Sequence, residues 1–420
     1  MQLAYLPGGI QFYSFQDSRF KQGALSIQFV RSMKKEEAAM NALLPAVLLR
    51  GTTAYPDLRS ITLRLDELYG ASVSALVRRV GDYQTTGLYC SFVEDRFAMD
   101  SDAVLSPMLS FLGELLLDPV TDEGVFRESY VESEKKNLIS TIESEVNDKR
   151  VYAAAQLMRL MCRGDSFGLP RLGDKEAVEA ITAKSLYEHY RTVLEESPVQ
   201  VFYVGSKSAQ EVAQLLSAQF AKIHRNPAPL AAQTGFCGAE GGHEEQSMDV
   251  SQAKLCMGFV TPITNRKEEF AAMQILNTVF GGGMTSKLFM HVRETLALCY
   301  SIGSAYYGTK GIMTVSAGID EDKEQIAREE ILGQLEACCR GNITPEELSA
   351  AKEAILASLQ TIHDSPGAIE GYYSTAALSG LSLSPEEYSE AVQKVTVEAV
   401  AAAAKTVTYH SSFVLKGGAK

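Results

Sequence analysis

The same succession of segments runs through this 420-residue chain twice. GALSIQFV, residues 23–30, alternates as a strand does, and KKEEAAMNALLPAVLLRG follows it. AKLCMGFV, residues 253–260, reads as a strand of the same kind, and RKEEFAAMQILNTVFGGG follows that. Lys35-Glu36-Glu37 and Lys267-Glu268-Glu269 mark the same place in each copy. Two strand candidates come next in both, 71–80 and 84–93 in the first and 301–307 and 311–319 in the second. Between the copies, residues 225–247 (RNPAPLAAQTGFCGAEGGHEEQS) have no periodicity and are rich in Pro, Gly and Ala, the composition of a linker. Domains usually hold about 100–200 residues, so a chain of this length is expected to exceed one simple core. The reading is a duplicated α+β protein: an N-terminal domain at 1–224, a linker at 225–247 and a C-terminal domain at 248–420.

Local signals fill in the halves. Residues 38–49 are apolar enough for a buried helix, and Pro45 inside it predicts a kink or a break. Residues 56–69 read as a helix that Gly70 ends. Gly81-Asp82 marks a hairpin between the 71–80 and 84–93 strands. Helices are expected at 100–117, across the charged stretch 125–161, at 186–194 and at 209–223, with a strand at 199–204. A further helix is expected at 322–339. Thr344-Pro345-Glu346-Glu347 and Ser384-Pro385-Glu386-Glu387 each place a capping hydroxyl, a proline at the first helical position and a glutamate at the third, a strong helix start.

Composition removes several function classes. Apolar residues make up 46% and charged residues 22%, as in ordinary globular proteins. The formal charge of −13 opposes general nucleic-acid binding, which needs clustered Lys and Arg, and opposes docking on an anionic membrane. No apolar run approaches the ~18 residues a membrane span needs. The N-terminal MQLAYLPGGIQFYSFQD lacks the basic and apolar regions of a signal peptide. The seven cysteines form no C-x-x-C pair and mostly sit in apolar runs, which predicts buried free thiols in a reducing, cytoplasmic setting.

Chemistry concentrates in FGGGMTSKLFMHVRETLALCY, residues 280–300. Gly281, Gly282 and Gly283 allow a turn that side chains would obstruct. Leu288, Phe289, Val292 and Leu296 then follow at helical spacing, Arg293 lies near the end of that run, and Tyr300 opens an alternating stretch. Elsewhere the inventory is poor. His189, His224, His243, His291, His363 and His410 include no pair at ligand spacing, and His243-Glu244-Glu245 reads as a solvated polar loop. No phosphate-binding loop and no nucleophile–histidine arrangement stands out.

The stretch GGGMTSKLFMHVRETLALCYSIGS resembles the C-terminal-half signature of the pitrilysin/insulinase-type zinc peptidases, which include the mitochondrial processing peptidase. There a glycine-rich turn leads to a helix ending in Val-Arg-Glu, with a Tyr seven residues after the Arg. ITPEELSAAKEAILASL resembles the helix that comes later in those domains. The resemblance implies a processing-peptidase fold of two similar halves, each a mainly antiparallel sheet packed with helices.

It also implies what is missing. Active members carry H-x-x-E-H on a helix just before a Gly-Thr pair, which here is Gly51-Thr52. Counting back, Ala42 and Ala46 occupy the two histidine positions and Pro45 that of the general base. The later glutamate ligand aligns with Thr141, with Glu143 close by. Zinc needs about three protein ligands and an open position, and methyl groups and a proline ring supply none. The resemblance therefore implies no metal on this chain and zinc in a partner. That partner is a homologous zinc-bearing subunit acting on a peptide or protein substrate. Arg293 can donate a forked pair of hydrogen bonds to a peptide, and Tyr300 can donate to a developing oxyanion. The stretch LDELYGASVSALVRRVGDYQTTGLYCSFVEDRF resembles the inactive subunit of a bacterial peptidase pair. Members of that pair are associated with the 5-aminopentanol modification of translation elongation factor P. The alternative is a peptide-binding or scaffolding protein with no part in catalysis.

Overall fold

A computed structural model describes residues 1–99, 102–221 and 223–417. They form two compact units, neither of which is one continuous stretch of chain. Unit 1 comprises Met1–Glu143, Pro170–Ala232 and His363–Thr375, and unit 2 comprises Ser144–Leu169, Gln233–Ile362 and Ala376–Lys420.

The strands in chain order begin with β1 (Gln2–Leu6), β2 (Ile10–Gln16), β3 (Gln22–Ser32), β4 (Ser72–Val80) and β5 (Tyr83–Val93). The short β6 (Thr121–Asp122) and β7 (Val125–Phe126) pair with each other, and β8 (Val199–Gly205) completes the first set. The second set is β9 (His243–Met248), β10 (Ala253–Val260), β11 (Cys299–Tyr307), β12 (Ile312–Ile319) and β13 (Thr408–Gly417). Unit 1 holds a six-stranded sheet ordered β1-β2-β8-β3-β5-β4, and unit 2 a five-stranded sheet ordered β11-β12-β10-β13-β9. Each has one parallel pair, β2 with β8 and β13 with β9, and is otherwise antiparallel. Without β1, the two orders are the same when strands are matched by rank. The duplication seen as a repeated order of segments is thus a repeated topology.

In unit 1 the two faces of the sheet do different work. Leu25, Ile27 and Phe29 of β3 join Leu88, Cys90 and Phe92 of β5 in a core closed by the helices Lys35–Leu48, Leu105–Leu117 and Ala183–Glu196. The alternate residues Ser26 and Gln28 face the other way, as strand geometry requires. They meet Glu370, carried in by His363–Thr375. Unit 2 repeats the device with a segment from the first half of the chain. The helix Lys149–Met161 lays Ala153, Leu157 and Met161 against Cys256, Ile312, Phe413 and Leu415. Burying side chains such as Leu157 and Met161 stabilises by roughly 1.5–3 kcal/mol each. Gly258 makes the approach possible, because a Cβ there would lie 2.0 Å from the Met161 sulfur.

Several expectations need correcting. The helix across Pro45 is continuous from Lys35 to Leu48 and does not break. The 125–161 stretch is two helices, Glu128–Asn147 and Lys149–Met161, because Asp148 turns its carboxylate onto the amides of Arg150 and Val151 and caps the second. The expected start of the 100–117 helix lies outside the described residues; the helix runs Leu105–Leu117. His243-Glu244-Glu245 is not loop but edge strand β9, held by backbone pairing with β13. Strands β1 and β2 lacked a clear alternating signal. Thr344 and Ser384 both form the expected capping boxes. All seven cysteines are free thiols, and Cys237 is the exposed one.

Candidate functional site

The glycine run ends one helix and opens the bends and turn, residues 282–286, that lead to the Arg293 segment. Gly281 is the last residue of the helix Phe270–Gly281, and Gly282 caps it with φ −83°. None of the three glycines takes a left-handed conformation. The need at Gly281 is space: a Cβ there would sit 2.7 Å from Ser304 Oγ of β11 and 2.9 Å from Leu288. Ser304 Oγ donates instead to Asn277 Oδ1 at 2.8 Å, drawing the helix end onto the strand.

Arg293 lies on a π-helical turn, Leu288–Thr295, rather than on an α-helix. The wider winding shows in its bonds: the Leu296 amide reaches His291 O at 3.0 Å and Thr295 Oγ1 reaches Met290 O at 2.8 Å, each five residues back. Such turns are rare and recur at functional sites. They also shift the apolar stripe, so Leu288 and Val292 are buried while Leu296, expected to be apolar-facing, is exposed. Lys287 anchors the start of the turn, donating to both oxygens of Glu347 at 2.9 Å in a nearly enclosed pair.

The Arg293 guanidinium carbon lies 4.5 Å from the centre of the Phe289 ring, and Nε lies 3.5 Å from Glu294 Oε1. Stacking of this kind holds a guanidinium plane without removing its donors from solvent. Four residues on, Ala297 has φ 48°, a left-handed conformation unusual for a residue with a Cβ. Lys323 donates to its carbonyl at 3.3 Å while pairing with Asp320 at 3.0 Å. Asp320 and the other carboxylates and phenol around it, Tyr300 among them, raise the Lys323 pKa. Burial pushes the Cys299 thiol up to about 11 against the opposing field of Arg293, so it is protonated at neutral pH and is no nucleophile. Tyr300 is 72% exposed, and its hydroxyl has no hydrogen-bond partner among the described residues. Met284, Met290 and Leu296 are exposed around these positions in sequence. Phe289 was legible as a partner of Arg293 from its spacing of four on a helix. Lys323 was not, because only folding brings it to Ala297.

The positions that the resemblance assigns to zinc in active peptidases lie in unit 1. Ala42 and Pro45 are buried and Ala46 is half-buried. Thr141 Oγ1 turns back to Asn137 O of its own helix at 2.9 Å, and Glu143 pairs with Lys175 at 2.6 Å. No nitrogen, sulfur or carboxylate oxygen is offered by Ala42, Pro45 or Ala46. The donor set does not fit zinc.

Among the described residues one group has ligand atoms within 4.8 Å of one another: His243, Glu245 and Glu324, in unit 2. It is an ion-pair network. Lys416 lies 2.9 Å from Glu245 and 3.1 Å from Glu324, and Arg328 lies 2.9 Å from Glu324 and 3.1 Å from His243 Nδ1. Lys416 first and then His243 hold the Glu245 carboxylate below its usual range. A divalent ion would have to displace two cations that already balance the two carboxylates.

Residues 180–355 match the family described as Peptidase M16 inactive domain. A Bacillus subtilis protein, "Probable inactive metalloprotease YmfF", is 28% identical over 98% of this chain and 96% of its own length. A conserved protein of Enterococcus faecalis V583 is 27% identical over 100% of this chain and 99% of its own, with a TM-score of 0.92. A peptidase M16 inactive domain of Pseudomonas fluorescens shares the fold at 18% identity and a TM-score of 0.81, over 100% and 98% of the two chains. Along its whole length the chain is therefore similar to inactive homologues of the M16, pitrilysin/insulinase-type, peptidases, YmfF among them.

Proposed function

We propose that this chain is the non-catalytic member of a two-chain peptidase. It pairs with a zinc-bearing homologue and offers Arg293 and Tyr300 to a peptide or protein substrate at the partner's metal. Zinc belongs to the partner and none to this chain. The observation that carries the reading is a contrast within one molecule: Ala42, Pro45 and Ala46 offer a metal no side-chain ligand atom, while Arg293 sits part-exposed on a stacked, anchored turn and the Tyr300 hydroxyl has no hydrogen-bond partner among the described residues. A free phenol donor suits an oxyanion that exists only during the reaction. The exposed Met284, Met290 and Leu296 suit the apolar side chains of an extended peptide. The pair would act in the cytoplasm, in the pathway that modifies elongation factor P, with no role for nucleic acid or membrane.

The test is reconstitution. The chain alone should retain no stoichiometric zinc by elemental analysis and cleave no peptide. Adding the zinc-bearing homologue should create peptide hydrolysis, and Arg293→Ala and Tyr300→Phe should lower its kcat by about 100–1,000-fold, the scale of one lost oxyanion donor. Metal-dependent hydrolysis by the isolated chain would defeat the reading. An unchanged kcat in Tyr300→Phe would leave a binding or scaffolding role. Loss of the modification mass on elongation factor P in a deletion strain checks the pathway.

A further inference from the structure

We propose that the helix Lys35–Leu48 has exchanged a metal site for a hydrogen-bonded clasp. Pro45 and Thr86 are its compensated centre, and they close the former ligand face against a metal.

A proline inside a helix removes one N–H, strands the carbonyl four residues back, and costs about 3 kcal/mol or more. For Pro45 that carbonyl belongs to Asn41, which is fully buried, so water cannot satisfy it. Thr86 of β5 does: its hydroxyl donates to Asn41 O at 2.7 Å. A side chain from the sheet stands in for the missing helical amide.

The rest of the clasp surrounds the same turn. Asn41 Nδ2 donates to Gln84 Oε1 at 2.9 Å, and Gln84 Nε2 donates to Ala38 O at 3.0 Å and Arg171 O at 2.7 Å. His189, from the helix Ala183–Glu196, lies with Nε2 2.8 Å from Asn41 Oδ1. The amide oxygen can only accept, so His189 carries its proton on Nε2. Gln84 and Thr86 have the same strand parity as Leu88, Cys90 and Phe92, so these two polar residues interrupt an apolar face. Their partners all lie on or beside the proline-bearing turn, which accounts for polar residues there.

The closure is steric as well. Pro45, with Phe29, Leu44, Leu48, Leu116 and Tyr190, borders a cavity of about 10 Å³, at the lower limit for one water. A carboxylate at position 45 would enter mostly apolar packing, with Thr86 the one hydroxyl of a threonine or serine on the cavity wall and space for one water at most.

The experiment is a double-mutant cycle on the full chain with a metal arm. Thr86→Val strands the Asn41 carbonyl and should lower the unfolding temperature by about 3 °C or more. Pro45→Ala restores an amide to that carbonyl, so Thr86→Val in this background should lose at least half its effect. Equal shifts in both backgrounds would overturn the pairing. In the second arm, Ala42→His, Pro45→Glu, Ala46→His and Thr141→Glu are combined and the product is dialysed against zinc sulfate. Less than a tenth of an equivalent of retained zinc is expected; one equivalent per chain would show the face is open and overturn the closure. Should the fourfold variant not fold, the cycle alone decides.

Discussion

Arg78 of β4 and Glu370, far apart in sequence, meet in a two-bond fork: Nη1 to Oε1 at 2.9 Å and Nη2 to Oε2 at 2.8 Å. The Glu370 side chain is 0% exposed and takes further bonds from Ser26 at 2.6 Å and Gln28 at 3.0 Å. This polar knot fixes His363–Thr375 to the outer face of the unit 1 sheet, with Tyr373 packed on Phe15 at 4.2 Å between ring centres. Arg78→Ala would leave an enclosed carboxylate with only neutral donors and should destabilise unit 1 by about 3–5 kcal/mol. Arg78→Met combined with Glu370→Leu should cost far less, since no charge is then stranded. Urea unfolding midpoints of the two variants check the difference.

His189 predicts a pH dependence. Burial lowers its pKa from 6.5 to about 4, against a smaller opposing pull from Glu37. The folded chain therefore keeps it neutral where the unfolded chain binds a proton. Stability from this residue is complete above about pH 6.5 and falls as pH drops toward 4, below which both states are protonated. The loss should be about 2–3 kcal/mol. The carboxylates held below their usual range, such as Glu37 and Asp95, lose their contribution only at lower pH, so the 6.5–5 interval belongs to His189. Denaturant unfolding at pH 7, 6 and 5 should show this slope in the parent and a flatter one in His189→Gln.

Ala297 should respond to glycine in the unusual direction. Its φ of 48° burdens a side chain with a Cβ by roughly 1–2 kcal/mol. Glycine escapes that strain but gives the unfolded chain more freedom. Ala297→Gly should therefore be stabilising by about 0.5 kcal/mol, whereas Ala297→Val should destabilise by about 1 kcal/mol or more. Amide exchange across 293–300 should slow in the first variant and quicken in the second.

Separating the chain at residue 232 should not yield two autonomous proteins. Unit 1 includes His363–Thr375 and unit 2 includes Ser144–Leu169, so each fragment lacks a segment its unit uses. Fragment 1–232 and fragment 233–420 should each show broad, weakly cooperative melting and aggregation. Co-expression should restore a soluble complex with a sharp transition. A sharp transition in either fragment alone would contradict the segment exchange.

What the amino-acid order determined by itself was local or a matter of inventory. Strand and helix periods, the Thr344 and Ser384 caps and the repeated segment order depend on neighbours a few residues apart. The side-chain chemistry of Ala42, Pro45 and Ala46 is equally plain, because methyl groups and a proline ring cannot coordinate zinc in any fold. What only the tertiary structure decided depends on partners distant along the chain. Glu370 meets Ser26 across 344 residues, and no periodicity marks that pairing. Thr86 replaces an amide that Pro45 lacks across 45 residues counted to Asn41. The helix expected to kink or break at Pro45 runs on from Lys35 to Leu48. The π turn under Arg293 and the left-handed Ala297 were hidden too, since a winding error of one residue leaves the pattern of apolar residues almost unchanged. Packing against Ser304, Glu347 and Lys323 settles it, and those contacts exist only once the sheet has formed.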